Sequence, residues 1–237
     1  MPRRPNSIRA VLLAFIYLFS KAQGVRGARE IIGWLTVAPA HAELINHDNI
    51  PYSQRYVDES HKLGRGFYIT QEPPVEGHPW KPRWYCVAYA NSESIARAPK
   101  IHIPRYYRKR NHSNGEVENI QLWDAGEESI VEYIGHFTED HPERVLRVSR
   151  TSNFEPNVLH MAIPSDVVNN NNVLSLWSEC FRTIEELEEE HGSETINWED
   201  KWEIVGDRGS PSEMSPVSSI GDMMDIAEDM DTLSLSE

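Results

Sequence analysis

Two stretches of the chain carry residue types whose spacing suits chemistry. The first is Leu63-Gly64-Arg65-Gly66-Phe67-Tyr68-Ile69-Thr70. Two glycines two apart give a tight backbone path into a short strand, and the aromatic pair then projects to opposite faces. Either one ring enters a core while the other faces a cleft, or the glycines are a plain turn leading into an ordinary core strand. The second stretch is Gly126-Glu127-Glu128-Ser129-Ile130-Val131-Glu132. Read as a strand, it places Glu128 and Glu132 on one face and Glu127 on the other.

Other chemistries find no footing. The sequence has no GxSxG elbow, P-loop, GxGxxG or HExxH motif. The closest histidine pairs, His41/His47 and His136/His141, lack metal-ligand spacing on a helix face, so no metal site is expected. Cys86 sits in WYCVAYA, where alternating large apolar residues point to burial rather than to a reactive thiol.

The elements that must position these residues are short. Strands are predicted over 29–37, 66–70, 83–90, 100–103, 127–135, 144–149 and 158–163. Short helices are predicted over 38–46, with Pro39 in the first turn, and over 91–97. Four prolines between 71 and 82 exclude regular structure there. The longest predicted helix is 173–191, with Asn172 as its N-cap and Val173, Leu174, Trp177, Cys180, Phe181, Ile184 and Leu187 at three- and four-residue spacings. Residues 198–204 are expected to close the domain by docking Trp198 and Trp202. The stretch RKRNHSNGE reads as an exposed loop and holds the sequon Asn111-His112-Ser113. Many short strands with few helices imply an α+β domain.

Composition limits the function. The chain has 237 residues, 23 Lys+Arg against 37 Asp+Glu, and a formal charge of −14. That acidity argues against phosphate-driven nucleic-acid binding. The charge is uneven. Residues 1–24 hold four bases and no acid, residues 25–178 hold 16 bases and 19 acids, and residues 179–237 hold 18 acids and three bases. The body is nearly neutral and the acidity belongs to the C-terminal quarter.

Residues 1–24 have a basic start, an apolar run from Ala10 to Phe19, and small residues at Ala22 and Gly24. That order predicts a secretory signal peptide cleaved after Gly24. A signal anchor or a buried N-terminal helix is the alternative. No later segment is long enough to span a membrane. In the mature chain the cysteines are Cys86 and Cys180, either bridged or left as two buried thiols. From about residue 206 Gly, Ser, Pro and acids dominate, which predicts a disordered tail. Within it Ile220, Met223, Met224, Ala227 and Met230 recur at helical spacing among acids. They form a segment that folds in a partner's groove or a plain solvated tail. The predicted organisation is a signal peptide over 1–24, one domain over 25–204 and an acidic tail over 205–237.

The LGRGFYIT segment resembles the LGxGFYxT element of the ADP-ribosyltransferase superfamily, in its toxin-type and poly-ADP-ribose-polymerase-like members. The resemblance implies the split, mostly antiparallel sheet of that family and NAD as a substrate. It assigns Tyr68 to stacking on the nicotinamide ring, Gly66 to close approach of the cofactor and Thr70 to shaping the pocket. Gly33 takes the place of the glycine on the family's first strand. There the family carries His-Gly or Arg-Gly, and this chain carries Ile32-Gly33. The catalytic acid would come from Glu127, Glu128 or Glu132. The function so implied is a secreted toxin or effector that uses NAD to modify a target macromolecule. The alternative is a catalytically inactive secreted interaction protein on the same or a similar scaffold, with the acidic tail meeting a basic partner.

Overall fold

The computed structural model describes residues 28–51, 62–75, 82–110, 115–150, 158–170 and 173–209. The proposed signal peptide, the sequon, Asn172 and the tail beyond residue 209 lie outside the described residues.

The fold is α+β, as expected. Strands β1 (Arg29–Val37), β2 (Gly66–Thr70), β3 (Trp84–Asn91), β4 (Lys100–His102), β7 (Leu146–Ser149), β8 (His160–Pro164) and β9 (Trp177–Phe181) form one sheet in the order β4-β7-β8-β2-β1-β3-β9. Only the β4–β7 pair in that sheet is parallel. Strands β5 (Tyr106–Arg110) and β6 (Val117–Gln121) form a separate antiparallel hairpin. The helices are α1 (Pro39–Asp48), α2 (Ser92–Arg97), α3 (Glu127–Gly135), α4 (Ser165–Asn169), α5 (Ile184–His191) and α6 (Trp198–Lys201).

Both faces of the sheet are covered. On β2, Phe67 and Ile69 enter the main core with Leu35, Val37, Cys86, Ala88 and the α1 residues Ala42 and Ile45. Tyr68 points the other way, into a second cluster with Leu63, Ala162 and the α3 residues Ile130, Tyr133 and Ile134. A third cluster packs Trp34, Tyr85 and Val87 under Leu187 of α5. On β1, a bulge between Ile31 and Gly33 adds one residue opposite β3. Ile32 is thereby fully buried in the main core. Trp198 and Trp202 do dock, stacked with ring centroids 6.4 Å apart, and the Trp198 indole N–H donates to the Ile32 carbonyl at 2.8 Å.

Cys86 and Cys180 are bridged across the directly paired strands β3 and β9. They are 94 residues apart, a closure worth about 4.7 kcal/mol if the stabilisation is entropic.

Three expectations are corrected. Residues 127–135 are helix α3, not a strand. Ile130, Tyr133 and Ile134 follow the three- and four-residue helical spacing, and Glu127 and Glu128 in the first turn favour the positive end of the dipole. The predicted helix 173–191 is two elements. Trp177–Phe181 alternates as a strand, with Ser178 and Cys180 buried, and α5 starts only at Ile184, capped by the Thr183 hydroxyl accepting from the Glu186 N–H at 3.2 Å. Glu185 and Glu186 therefore occupy the favourable first turn of α5. Third, Arg108 to Arg110 belong to β5 rather than to an exposed loop, because Tyr107 anchors that strand on α3.

Candidate functional site

The Gly64–Gly66 turn is built by three side chains from three elements. Tyr68 on β2 folds back on the turn that precedes it. Its hydroxyl donates to the Gly64 carbonyl at 2.7 Å and accepts from the Leu63 N–H at 3.0 Å. Arg147, in the middle of β7, is fully buried and reaches the same turn from beneath. Its Nη1 donates to the Leu63 carbonyl at 2.8 Å and to Glu127 Oε2 at 2.9 Å, while Nη2 pairs with Glu127 Oε1. Glu127 Oε2 also accepts from the Arg65 N–H at 3.0 Å. The guanidinium and carboxylate thus meet fork to fork, the strongest form of such a pair.

Gly64 makes this possible. Its φ is +82°, and a Cβ there would collide with Arg147 Nη1 and Glu127 Oε2. The glycine supplies both the left-handed backbone and the space for the ion pair.

The local electrostatics follow from this packing. Burial pushes the Tyr68 phenol well above its ordinary range, so the hydroxyl stays protonated. Burial alone would raise the Glu127 carboxyl. The hydrogen bonds and charge of Arg147, with the Arg65 amide, outweigh burial and hold it below the usual value. Glu127 is therefore an ionised carboxylate with its side chain 36% exposed.

The other predicted site residues have separate settings. Glu128 and Glu132 are exposed on α3, and Glu132 pairs with Lys109 of β5. The Thr70 hydroxyl is placed between the Trp34 carbonyl at 3.2 Å and the Glu72 carbonyl at 2.8 Å. Gly66 lets β2 approach β8, since a Cβ there would strike the Ile163 carbonyl oxygen. Gly33 does the same between β1 and β2, with a Cβ falling 2.8 Å from both Ile69 Cδ1 and the Thr70 carbonyl. Of the seven predicted residues, Tyr68, Gly66 and Glu127 converge on one turn, and Glu128, Glu132, Thr70 and Gly33 do not join them there.

Sequence reasoning missed Arg147. Its one available signal is a guanidinium between Leu146 and Val148 in a strand, which faces the opposite side from both and needs an anion once buried. It also missed two histidines. Burial lowers His102 and His160 to about 4. His102 Nε2 lies 3.5 Å from Glu199, which also meets Arg150 and Arg208 at 3.5 and 3.3 Å.

Among the described residues no group of three or more His, Cys, Asp or Glu could hold a metal ion. Nor is any helix among them long and apolar enough to cross a membrane. A groove of about 380 Å³ is lined by Arg97, Asp140, His141, Arg144, Leu146 and Leu174, and none of the seven predicted residues lines it.

Fold and site together define a disulfide-linked α+β protein whose glycine–aromatic turn is clasped to an acidic helix by a buried arginine. The chain belongs to a family of unknown function, DUF5910, whose model matches residues 61–207. No curated protein and no solved structure matches it.

Proposed function

We propose that this is a secreted protein that acts by binding a target protein and does not turn over NAD. The observation that carries this reading is the bidentate hold of Arg147 on Glu127. A carboxylate that must orient a ribose hydroxyl needs acceptor capacity for substrate, and here three of its roughly four acceptor sites are taken by Arg147 and the Arg65 amide. The Tyr68 hydroxyl is spent on the turn, and its ring packs against the α3 core. Ile32, where a basic residue would grip the cofactor, faces the main core. Secretion is supported by the basic-then-apolar start of the chain and by the Cys86–Cys180 bridge.

A second reading has its own observation. Tyr68, Gly66 and Glu127 meet at one turn, and Glu127 is ionised and partly exposed. A toxin-like transferase would use that carboxylate to steady the oxocarbenium-like state as the bond between ribose and nicotinamide breaks. Nicotinamide leaves with the bonding electron pair, and a nucleophile on the target protein takes its place.

One experiment separates the two readings. The purified full chain is titrated with NAD by calorimetry and incubated with NAD labelled in the nicotinamide ring. The expected result is no heat of binding and no release of label. Release by the wild type that disappears in Glu127→Gln, with folding intact by circular dichroism, would overturn the binding-only reading.

A further inference from the structure

The groove of about 380 Å³ opens where the parallel strands β4 and β7 begin, apart from the glycine turn. Three segments wall it. They are the end of α2 with Ala98 and Pro99, the 3-10 turn Pro142–Arg144 with the two residues before it, and α4 with Val173 and Leu174 beyond it. The floor is apolar and belongs to the main core. Leu146, Val167 and Leu174 line it, and all three are otherwise buried. Val173 is exposed and carries the apolar lining out toward solvent.

The rim is charged, and its charges are unequally satisfied. Arg97 pairs with Glu93 at 3.5 Å along α2. His141 has Nδ1 3.0 Å from Glu143 and Nε2 3.8 Å from Asp140. Arg144 is half-buried, and among the described residues its guanidinium has no ion pair or hydrogen bond. Neighbouring Glu143 feels its charge but bonds His141 instead. A guanidinium drawn partly out of water without an anion is costly, and a carboxylate fits its fork of donors. The half-buried Ser94 hydroxyl, on the same groove, also has no hydrogen bond among the described residues.

We infer that this groove binds a small apolar monocarboxylate, with the carboxylate on Arg144 and the hydrocarbon body on Leu146, Val167 and Leu174. The Ser94 hydroxyl is a further donor for the carboxylate. The volume lies within the range of about 300–1,000 Å³ typical of small-molecule sites. An added peptide strand would need free backbone groups along the wall. Here the Ala98 N–H donates to the Ser94 carbonyl at 2.9 Å, the Ala98 carbonyl accepts from the Lys100 ammonium at 2.8 Å, and the Pro99 carbonyl accepts from the Leu146 N–H at 3.0 Å. A dianion such as phosphate meets the Asp140 carboxylate on the same rim, so a single negative charge suits the site better. The inference goes beyond the target-binding reading and does not depend on it.

Calorimetric titration of the full chain with octanoate tests it, with 1-octanol as the uncharged counterpart. Titrations at two temperatures keep a vanishing enthalpy from hiding binding. Octanoate should bind at millimolar concentration or below, and 1-octanol about tenfold more weakly, because it lacks the charge-assisted bond. Arg144→Gln should weaken octanoate about tenfold and leave 1-octanol unchanged. Arg110→Gln removes an exposed cation that does not line the groove and should alter neither. Val173→Glu sets a carboxylate at the exposed apolar wall and should abolish octanoate binding. Unchanged urea midpoints report that each variant is folded, and Val173→Gln serves if the acid disturbs the fold. Absence of octanoate binding at both temperatures would overturn the inference. So would binding that Arg144→Gln leaves unchanged or that Arg110→Gln weakens equally. Tighter binding of a short peptide ending in a free leucine carboxylate would also overturn it, by placing a protein C-terminus in the groove.

Discussion

Arg147 and Glu127 meet fork to fork across Gly64, the guanidinium fully buried on β7 and the carboxylate at the first residue of α3. Removing one partner strands the other. Glu127→Ala leaves a buried guanidinium with only the Leu63 carbonyl, and should destabilise the chain by about 3 kcal/mol. Arg147→Met combined with Glu127→Leu should cost clearly less than the two single changes added together. Urea melts of the four proteins, taken as a double-mutant cycle, check this.

Gly64→Ala should be at least as damaging, by about 3 kcal/mol, because the new methyl group meets both members of the ion pair and the backbone is left-handed. Gly126→Ala is the control. Gly126 also has positive φ, +93°, but a Cβ there meets nothing within 4 Å. It should carry only the backbone penalty of about 2 kcal/mol, since φ +93° with ψ 171° is a region almost confined to glycine. Chemical melts of both variants should show the larger loss at Gly64.

Tyr68→Phe keeps the ring and removes the hydroxyl that ties Leu63 to Gly64. The expected loss is about 1–2 kcal/mol, together with faster amide exchange across 62–66. A ring used only for stacking would tolerate this change, so an unaltered melt would count against the structural role given to Tyr68.

Acid should weaken the fold. His102 and His160 titrate near 4 in the folded chain, against 6.5 when unfolded. Between those values the unfolded state binds protons that the folded state does not, so stability falls as pH drops from about 6.5 to about 4. Glu127, whose pKa is depressed, adds a loss in the same direction at lower pH. Denaturant midpoints at pH 7 and pH 4.5 should differ, and His102→Leu should narrow the gap.

The bridge offers a further check. Cys86→Ala with Cys180→Ala should lower stability by up to about 4.7 kcal/mol, read as a fall in the urea midpoint. Reductant should lower the wild-type midpoint and leave that of the double variant unmoved.

Much of the scaffold was legible in local pattern. The alternation in WYCVAYA and GFYIT, Pro73 and Pro74 after β2, and Pro39 in the first turn of 38–46 act through neighbouring residues, and these elements stand where local chemistry puts them. The failures share a cause. In 127–135 the β-branched Ile130, Val131 and Ile134 suit a strand locally, but their helical spacing faces the core and decides for α3. In 173–191 the apolar spacing suits one helix, but Cys180 pairs across the sheet with Cys86, and that contact over 94 residues imposes a strand.

The same division runs through the site. The sequence by itself determined that two glycines precede an aromatic strand, that the acids cluster at 127–132, and that the negative charge gathers toward the C-terminus, because these are properties of neighbours along the chain. Only the tertiary structure decided that Glu127, and not Glu128 or Glu132, meets the glycine turn. A buried guanidinium must find its anion wherever the fold puts one, and β7 brings Arg147 to Glu127 from 20 residues away and to Leu63 from 84.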